Sequence, residues 1–169
     1  KENGDRLRQK DVEARWAKKG KEVHYGYKDH VKVDRRTKLI EDYEVTEASV
    51  HDSQAVEDLV EKGDGTLHAD SAYGGGKIET ILKEKCVKGE ICEKGYRNHP
   101  LSEEQKKSNR KKSRIRARVE HIFGFMTNPM RDGLKMRWIG MRRNAVGIGL
   151  LNLVYNMARY EQILRLKLA

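Results

Sequence analysis

The stretch "VHYGYKDHVKVDRRTKLIEDYEVT", residues 23–46, decides the fold, because it holds two strands and the turn that joins them. Val23, Tyr25 and Tyr27 alternate along the chain, and residues 23–33 are rich in β-branched and aromatic side chains, which predicts a strand. "DRRTK" is a polar turn, and "LIEDYEVT" predicts a second strand. The two strands therefore form a hairpin.

Strands and helices alternate after this hairpin, and two long helices end the chain. Strands are predicted from runs of β-branched residues and helices from apolar side chains at helical spacing. The predicted elements are a short helix in "HDSQAVEDLVEK" (residues 51–62), a strand over 66–69, a helix over 78–85, a strand in "KGEICEKG" (88–95), a helix containing 113–126, a break at "NPMRDG" (128–133) and a helix over 142–166. This order predicts an α/β fold with a mixed sheet flanked by helices.

The composition favours a folded protein that binds an acidic polymer. The 169 residues are about one domain in length, and 37% of them are hydrophobic. Lys and Arg number 36 against 26 Asp and Glu, a formal charge of +10, so nucleic acid is the expected partner. The longest uncharged run, residues 144–158, is shorter than the roughly 18–20 residues of a membrane span, and no signal peptide is visible. We therefore expect a soluble protein with no membrane partner.

The sequence contains no motif typical of a zinc site or of a nucleotide-cofactor site. Cys86 and Cys92 have no histidine near enough to complete a zinc set, so we expect both to be reduced thiols. Neither a G-x-G-x-x-G nor a P-loop pattern occurs.

Two acidic residues, Asp70 and Glu120, are the candidate metal ligands. Phosphodiester chemistry requires stabilisation of charge on the attacking and leaving oxygens, which two divalent cations supply, and Mg²⁺ prefers carboxylate oxygens. Asp70 ends a predicted strand and Glu120 lies on a predicted helix. The alternatives are that Asp70 is a turn residue before Ser71 and that Glu120 forms an i, i+4 ion pair with Arg116.

A basic run precedes Glu120, with Lys or Arg at eight of the thirteen positions in residues 106–118. Such a run is often only a solvated surface, but here DNA bound by these charges would lie beside the metal ions. The candidate DNA-binding residues are Arg110, Lys111, Lys112, Arg114, Arg116 and Arg118. Trp16 is interpreted as packing in the core or at the rim beside a strand, with base stacking as the alternative.

Apolar stripes on the two long helices predict which faces are buried. On the first helix Ile115, Val119, Ile122 and Met126 form one stripe that faces the core, with Glu120 on its flank. On the last helix we expect Leu150, Leu153, Val154 and Met157 to cover the sheet rather than to form a dimer interface.

Several motifs resemble the catalytic region of bacterial insertion-sequence DDE transposases of the insertion sequence family five group. The resemblance rests on "HADSAYGG", "EKGYRNHPLSEEQK", "NRKKSRIRARVEHIFGFM" and "IGLLNLVYNMARYEQI". "DVEARWAKKGKEVHYGYKDHVKVD" and "ASVHDSQA" resemble the segment between the first and second catalytic acids of that group. The likeness covers nearly the whole chain.

The resemblance implies a ribonuclease-H-like fold in which three acids bind two Mg²⁺ ions, or Mn²⁺ in their place. Asp70 matches the second acid and Glu120 the third. The Tyr-Arg-Glu-Lys signature of the family falls on Ser113, Arg116, Glu120 and Thr127, so this chain keeps only the Arg and the Glu. Arg116 is expected to orient Glu120 or to contact a phosphate.

The first acid is expected upstream of Lys1, because the hairpin would supply the second and third strands of this fold. Asp11, in a polar lead-in, and Asp34, in the hairpin turn, are the available substitutes. We therefore expect residues 1–169 to form one catalytic-type domain, the C-terminal portion of a longer transposase, that lacks its first strand. Residues 95–112 would be a basic polar connection within it. This chain alone would be inactive.

The expected activity is Mg²⁺-dependent phosphodiester hydrolysis at insertion-sequence ends, followed by strand transfer into target DNA. The resemblance implies double-stranded DNA as partner, a homo-oligomer on the DNA and a bacterial cytoplasmic, nucleoid-associated location. One alternative is a catalytically dead, basic nucleic-acid-binding remnant of the same fold. Another is a basic protein associated with RNA or ribosomes, whose binding would not depend on Asp70 or Mg²⁺.

Overall fold

The structure is a computed structural model and describes residues 9–128, 130 and 135–167. Its strands are β1 (Arg15–Lys19), β2 (Glu22–Val33), β3 (Ile40–Glu47), β4 (Thr66–Ala69) and β5 (Lys88–Ile91). Its helices are α1 (Val56–Leu59), α2 (Gly76–Glu84), α3 (Glu103–Thr127) and α4 (Met141–Leu166), with 3₁₀ turns at Asp52–Gln54 and Ser71–Tyr73. The chain forms two compact units, Lys1–His51 with Phe123–Ala169, and Asp52–Ile122. The α/β class predicted from the sequence is confirmed.

The first unit contains an antiparallel sheet in the order β1-β2-β3, and the predicted hairpin is confirmed as β2 and β3. β1 pairs with the first part of β2, and β3 with the second part, where Lys28 faces Thr46. β1 is not among the predicted strands, because "RWAKK" has no hydrophobic alternation. Its Trp16 is exposed and packs on Tyr25, with ring centroids 4.8 Å apart.

Asp34 shapes the hairpin turn. Its Oδ2 accepts hydrogen bonds from the backbone N–H of Arg36 at 3.0 Å and of Thr37 at 2.5 Å, and from the Thr37 hydroxyl at 2.6 Å. The two bonds from Thr37 are the main cause of a lowered pKa of the Asp34 carboxyl. Asp34 therefore serves the turn, as an aspartate in this position commonly does.

Asp11 has a similar structural role in the lead-in to β1. Its carboxylate accepts hydrogen bonds from the Tyr27 hydroxyl at 2.8 Å and from the backbone N–H of Gly140 at 3.0 Å, Glu13 at 3.2 Å and Ala14 at 3.3 Å. Burial acts to raise the pKa of Asp11, but these hydrogen bonds outweigh it and lower that pKa. Both carboxylate oxygens are thus occupied within the first unit.

Helix α4 packs one face in this unit and leaves another exposed. Its buried residues are Asn144, Gly147, Ile148, Asn152, Tyr155 and Ile163. The Asn156 amide bonds to both the N–H and the C=O of Ile40 at 2.8 Å, which fixes the helix on β3. At Gly147 a Cβ would overlap the ring of Trp138, so only glycine fits.

The prediction that Leu150, Leu153, Val154 and Met157 cover the sheet is wrong, because all four side chains are exposed. The helix carries apolar residues on two faces, and a sequence pattern alone does not tell which face the sheet selects. The sheet packs the face with Asn152 and Asn156, whose amides bond to Asp29 and to the β3 backbone. Polar complementarity therefore decided the orientation of α4.

The second unit is built on parallel pairing of β4 with β5, in which Leu67 faces Gly89 and Ala69 faces Ile91. Both strands and the helix between them confirm the sequence prediction, and the predicted helix at 51–62 is shorter, a 3₁₀ turn followed by α1. The core of buried residues comprises Val56, Val60, Ile78, Leu82 and Val87. Leu67, Tyr73 and Ile91 pack against it.

Helix α3 begins earlier than expected, so the predicted connection over residues 95–112 is wrong from Glu103 onward. The reason is a capping box: the Ser102 N–H bonds to Gln105 Oε1 at 2.8 Å, and the Gln105 N–H bonds to Ser102 Oγ at 3.2 Å. The predicted apolar stripe is confirmed, with Ile122 and Met126 fully buried. The helix ends at Thr127, and of the predicted break at 128–133 residues 129 and 131–134 lie outside the described part.

No helix among the described residues combines the length and the apolar character needed to cross a membrane.

Asp29, on β2, is a partly buried carboxylate without a cationic partner. Its Oδ1 accepts a hydrogen bond from Asn152 Nδ2 at 3.3 Å, while its Oδ2 and Asn152 Oδ1 are buried and have no hydrogen-bond partner among the described residues. Burial raises the pKa of Asp29 to about 6, against the lowering effect of the Asn152 bond. Ionised Asp29 is therefore a cost to folding at neutral pH.

We expect Asp29→Asn to stabilise the protein at pH 7.5 by about 1–3 kcal/mol, because the amide removes a buried charge and places a donor beside the unpartnered Asn152 Oδ1. The folded protein holds the Asp29 proton up to pH about 6, whereas the unfolded chain loses it near 3.8. The Asp29 contribution to stability therefore falls as pH rises from 4 to 6, and the variant should lose this slope. Urea denaturation at pH 4 to 8 measures both effects.

Asp34→Asn is the matched control, because the pKa of Asp34 is lowered rather than raised. This variant should lose stability at pH 7.5 and approach the original protein as pH falls below the folded pKa of Asp34. If Asp29→Asn also lost stability at pH 7.5, the assignment of a buried, destabilising charge to Asp29 would be wrong.

Candidate active site

Asp70 follows the last residue of β4 and caps the 3₁₀ turn after it. The Ser71 N–H donates to Asp70 Oδ1 at 2.6 Å, and the Tyr73 N–H donates to the Asp70 carbonyl at 3.0 Å. Its second carboxylate oxygen, Oδ2, accepts no hydrogen bond from the part of the chain that the structure describes. The turn contact expected as an alternative is present, and it uses only one of the two oxygens.

Glu120 lies in the last part of α3 that belongs to the second unit, with 65% of its side chain exposed. Arg116 Nη1 lies 3.3 Å from Glu120 Oε1, so the i, i+4 ion pair expected as an alternative is also present. An exposed pair of this kind contributes only a few tenths of a kcal/mol. Glu120 is thus held loosely, and its Oε2 has no hydrogen bond among the described residues.

Arg116 is the more constrained partner of this pair. Its side chain is 35% exposed, and its Nε–H is buried without a hydrogen-bond acceptor in the described part of the chain. A buried guanidinium donor with no acceptor costs free energy, because it has lost its hydrogen bond to water. The buried part of this side chain therefore fixes the guanidinium in place beside Glu120.

Tyr73 is influenced by the charges of both Asp70 and Arg116. Its ring packs against the core of the second unit, and the 3₁₀ turn that carries it packs against the turn that begins at Asp52. Burial, with the negative charges of Asp52 and Asp70, raises the pKa of Tyr73 to about 12, and the positive charge of Arg116 opposes this rise. The Tyr73 hydroxyl thus lies within electrostatic reach of all three charged groups.

Sequence reasoning missed both Tyr73 and Asp52 as members of this site. The available signal for Tyr73 was its position, three residues after a strand-ending aspartate and directly before the glycines of "YGGG". Asp52 opens a 3₁₀ turn, and its electrostatic effect on Tyr73 is larger than that of Asp70.

The six basic residues predicted to bind DNA differ in their surroundings on α3. Lys112 has a 19% exposed side chain, and its Nζ donates to the Ile91 carbonyl at 2.9 Å, so it fastens α3 to β5. Arg116 pairs with Glu120. Arg110, Lys111, Arg114 and Arg118 are exposed.

A shallow groove of about 540 Å³ runs along α3 and contains two of these cations. Its lining residues are Leu101, Lys106, Asn109, Arg110, Ser113, Arg114 and Ala117. Lys106, Arg110 and Arg114 are four residues apart and form one stripe on the helix. Lys106 is paired with Glu103 at 2.8 Å, whereas no carboxylate pairs with Arg110 or Arg114 among the described residues.

The donor set of the site fits a hard divalent cation in type but is incomplete in number. Asp70 and Glu120 each have one carboxylate oxygen with no hydrogen bond among the described residues, and oxygen ligands suit Mg²⁺ and Mn²⁺. Within residues 9–128, 130 and 135–167 no group of three or more His, Cys, Asp or Glu side chains could hold a metal ion. Cys86 and Cys92 are free thiols.

A model of the transposase DDE domain family matches residues 4–157 of the chain. The transposase for insertion sequence element IS1106 of Neisseria meningitidis serogroup B is 35% identical to the chain over 132 residues. The match covers 76% of this chain and 45% of that transposase, so the chain spans less than half the length of this relative. No solved structure matches the chain significantly.

The packing of Tyr73 predicts that its ring and its hydroxyl have separable roles. Tyr73→Ala should destabilise the protein by about 2–4 kcal/mol, because it empties a site beside the core. Tyr73→Phe keeps the ring and should cost less than about 1 kcal/mol. Urea denaturation of both variants measures the difference. Equal losses for the two variants would contradict this prediction, because the hydroxyl would then carry the stability.

Proposed function

The chain belongs to the transposase DDE domain family, and on that basis we propose that it supplies the second and third catalytic acids of an insertion-sequence transposase. Asp70 is the proposed second acid and Glu120 the third. The observation that carries this proposal is that each carboxylate keeps one oxygen without a hydrogen bond among the described residues.

Asp70 and Glu120 would hold Mg²⁺, or Mn²⁺ in its place. When bound, the cations would supply stabilisation of the negative charge that develops on the attacking and leaving oxygens. The protein contributes to this chemistry by presenting oxygen ligands on ordered elements: a capped strand end for Asp70 and a long helix for Glu120.

The third ligand is proposed to come from a strand that pairs with the free edge of β4. Among the described strands β4 pairs only with β5, so its other edge is open. In a ribonuclease-H-like fold the strand beside this edge carries the first acid. Asp11 and Asp34 are poor substitutes, because the hydrogen bonds of their carboxylates already serve the β1 lead-in and the hairpin turn.

Arg116 and Tyr73 would position the reacting groups. Arg116 holds Glu120 through Nη1, and the exposed part of its guanidinium would donate to a phosphate oxygen. Tyr73 would keep its proton at neutral pH, since its pKa is raised to about 12, and so remains a neutral hydrogen-bond donor. Neither residue acts as a nucleophile in this proposal.

The proposed reaction is hydrolysis of a phosphodiester bond at each end of an insertion sequence, followed by attack of the freed 3′ hydroxyl on target DNA. No covalent bond between protein and DNA is involved. The reaction would take place on the DNA of a bacterial nucleoid. The competing proposal, a nucleic-acid-binding remnant without catalytic capacity, keeps the basic groove but not the metal ions.

The groove on α3 is the proposed track for the DNA backbone. Arg110 and Arg114 lie on one stripe, are exposed and have no carboxylate partner among the described residues, which suits phosphate contacts. Lys112 is excluded from this role by its hydrogen bond to Ile91. Phosphate contacts position a protein on DNA without selecting a base sequence, so we expect binding of low sequence specificity.

Mn²⁺ binding tests the proposed acids directly. We expect Asp70→Asn and Glu120→Gln each to weaken binding of Mn²⁺, followed by electron paramagnetic resonance, by at least about tenfold, because each removes a charged oxygen ligand. Asp58→Asn and Glu84→Gln, at exposed acids elsewhere in the second unit, are matched controls and should leave binding unchanged. Unchanged binding by the Asp70 and Glu120 variants, with DNA binding intact, would favour the remnant.

DNA binding tests the groove separately from the acids. Replacing Arg110 and Arg114 together by Ala should lower the affinity for any duplex and reduce the slope of log K against log salt by about 1.8, for two lost phosphate contacts. Fluorescence anisotropy with two unrelated duplexes, at salt concentrations between about 50 and 200 mM, measures both the affinity and the slope. The control replaces Lys62 and Lys83 by Ala, which removes the same charge away from the groove. Equal effects of the two double variants would contradict the groove assignment.

A further inference from the structure

We infer that the hairpin formed by β1 and the first part of β2 is a binding site for single-stranded DNA, in which Trp16 stacks on an unpaired base. This hairpin, residues 15–26, is called the arm below. The inference does not rest on the proposed metal chemistry, because the arm belongs to the first unit, and Asp70 and Glu120 belong to the second. It concerns a base contact, which the phosphate track on α3 does not supply.

The arm is a two-stranded extension of the sheet in the first unit. Residues 22–26 of β2 pair with β1, and the pairing of β2 with β3 begins only at Tyr27. Five residue pairs make the arm about 16 Å long. Gly20 lies at its tip with φ +63°, a conformation that favours glycine. Among the described strands, no third strand pairs along the arm.

One face of the arm carries a pair of aromatic rings. The register places Trp16 opposite Tyr25 and Lys18 opposite Val23, and these four side chains share a face because side chains alternate along a strand. The two rings are tilted by 47° to each other, and the Tyr25 hydroxyl donates to the Asp11 carbonyl, so both contacts that hold the pair lie within the first unit. Trp16 is 65% exposed, which leaves most of its indole surface free to stack on a further ring.

The charge of the arm suits a phosphate backbone. Its segment "RWAKKGK", residues 15–21, has four basic residues and no acidic one. Lys18 and Lys21 are exposed, and neither forms an ion pair with the described carboxylates. Lys18 follows Trp16 by two positions on the same face, about 6.6 Å along the strand. Its ammonium group can therefore contact a phosphate next to a base that is stacked on Trp16.

The combination of a free indole and lysines favours an unpaired strand over other partners. In a duplex both faces of a base are covered by its neighbours, so an aromatic side chain can stack only on a base that has left the helix or lies in a single strand. A protein partner is disfavoured, because lysine is depleted from the cores of protein interfaces and Lys18 lies beside the rings. The chain belongs to a transposase family, and transposases act on DNA, so we take the strand to be DNA.

Fluorescence anisotropy of the whole 169-residue chain, with a labelled oligothymidylate and a labelled duplex of the same length, tests this inference. Trp16→Ala should weaken binding of the oligothymidylate at least about tenfold, the size expected for the loss of one stacked base, and should leave duplex binding unchanged. Trp16→Tyr keeps an aromatic ring and should retain most of the affinity for the oligothymidylate. Because Trp16 is exposed, circular dichroism should show an unchanged fold for both variants.

The lysines of the arm are tested by the salt dependence of the same binding. Replacing Lys18 and Lys21 together by Ala should reduce the slope of log K against log salt for the oligothymidylate by about 1.4, for two lost contacts to a single strand. The double replacement of Lys62 and Lys83 by Ala removes the same charge elsewhere and should leave this slope unchanged. Equal slopes for the two double variants would contradict a phosphate contact by the arm.

Tyr160→Ala is the control for the aromatic substitution, because Tyr160 is an exposed ring of the same unit outside the arm. This variant should bind the oligothymidylate as the original protein does. Unchanged binding of the oligothymidylate by Trp16→Ala, or equal losses for the oligothymidylate and the duplex, would overturn the inference. Neither result would bear on the proposed acids, which are tested by Mn²⁺ binding.

Discussion

Parallel pairing of β4 with β5 is the constraint from which the second unit follows. Parallel neighbours cannot be joined by a tight turn, so the chain must cross over, and it does so through α2. The crossover buries Ile78 and Leu82 of α2 in the core with Val56, Val60 and Val87. Because the strands are parallel, their C-terminal ends lie at the same edge of the sheet. Asp70 follows β4 at this edge, and the segment that leads to α3 follows β5.

The start of α3 is tied to this edge by polar contacts rather than by apolar packing. Lys112 Nζ donates to the carbonyl of Ile91, and the Asn109 amide bonds to both the N–H and the C=O of Glu93 at 2.9 Å. A helix with so many lysines and arginines has few apolar side chains to bury in this part, and these hydrogen bonds replace them. The exposed cations on the same helix remain available because Lys112 and Asn109, with Gln105, make the inward hydrogen bonds.

Sequence periodicity predicted most of the strands and helices, but not which face of α4 is buried. The hairpin, β4, α2 and α4 were predicted because strand alternation and helical spacing are local properties. β1 was missed, since a five-residue strand with an exposed Trp16 carries no such pattern. The orientation of α4 was mistaken because two faces of the helix are apolar, and only Asn152 and Asn156, through their partners on β2 and β3, select one of them. Contacts between distant residues decide such questions, and a single sequence does not contain them.

For the candidate site, residue types were predictable and their partners were not. The structural roles expected as alternatives for Asp70 and Glu120 are both present. Asp70 accepts a 2.6 Å hydrogen bond from Ser71, and Glu120 forms a 3.3 Å ion pair with Arg116. These contacts do not compete with metal binding, because each occupies one oxygen of a carboxylate that has two. A cap on one Asp70 oxygen restricts the rotation of the carboxylate, whereas the exposed pair on one Glu120 oxygen holds that side chain only loosely. The contact that makes Asp70 look structural is therefore also one that would pre-organise it for chemistry.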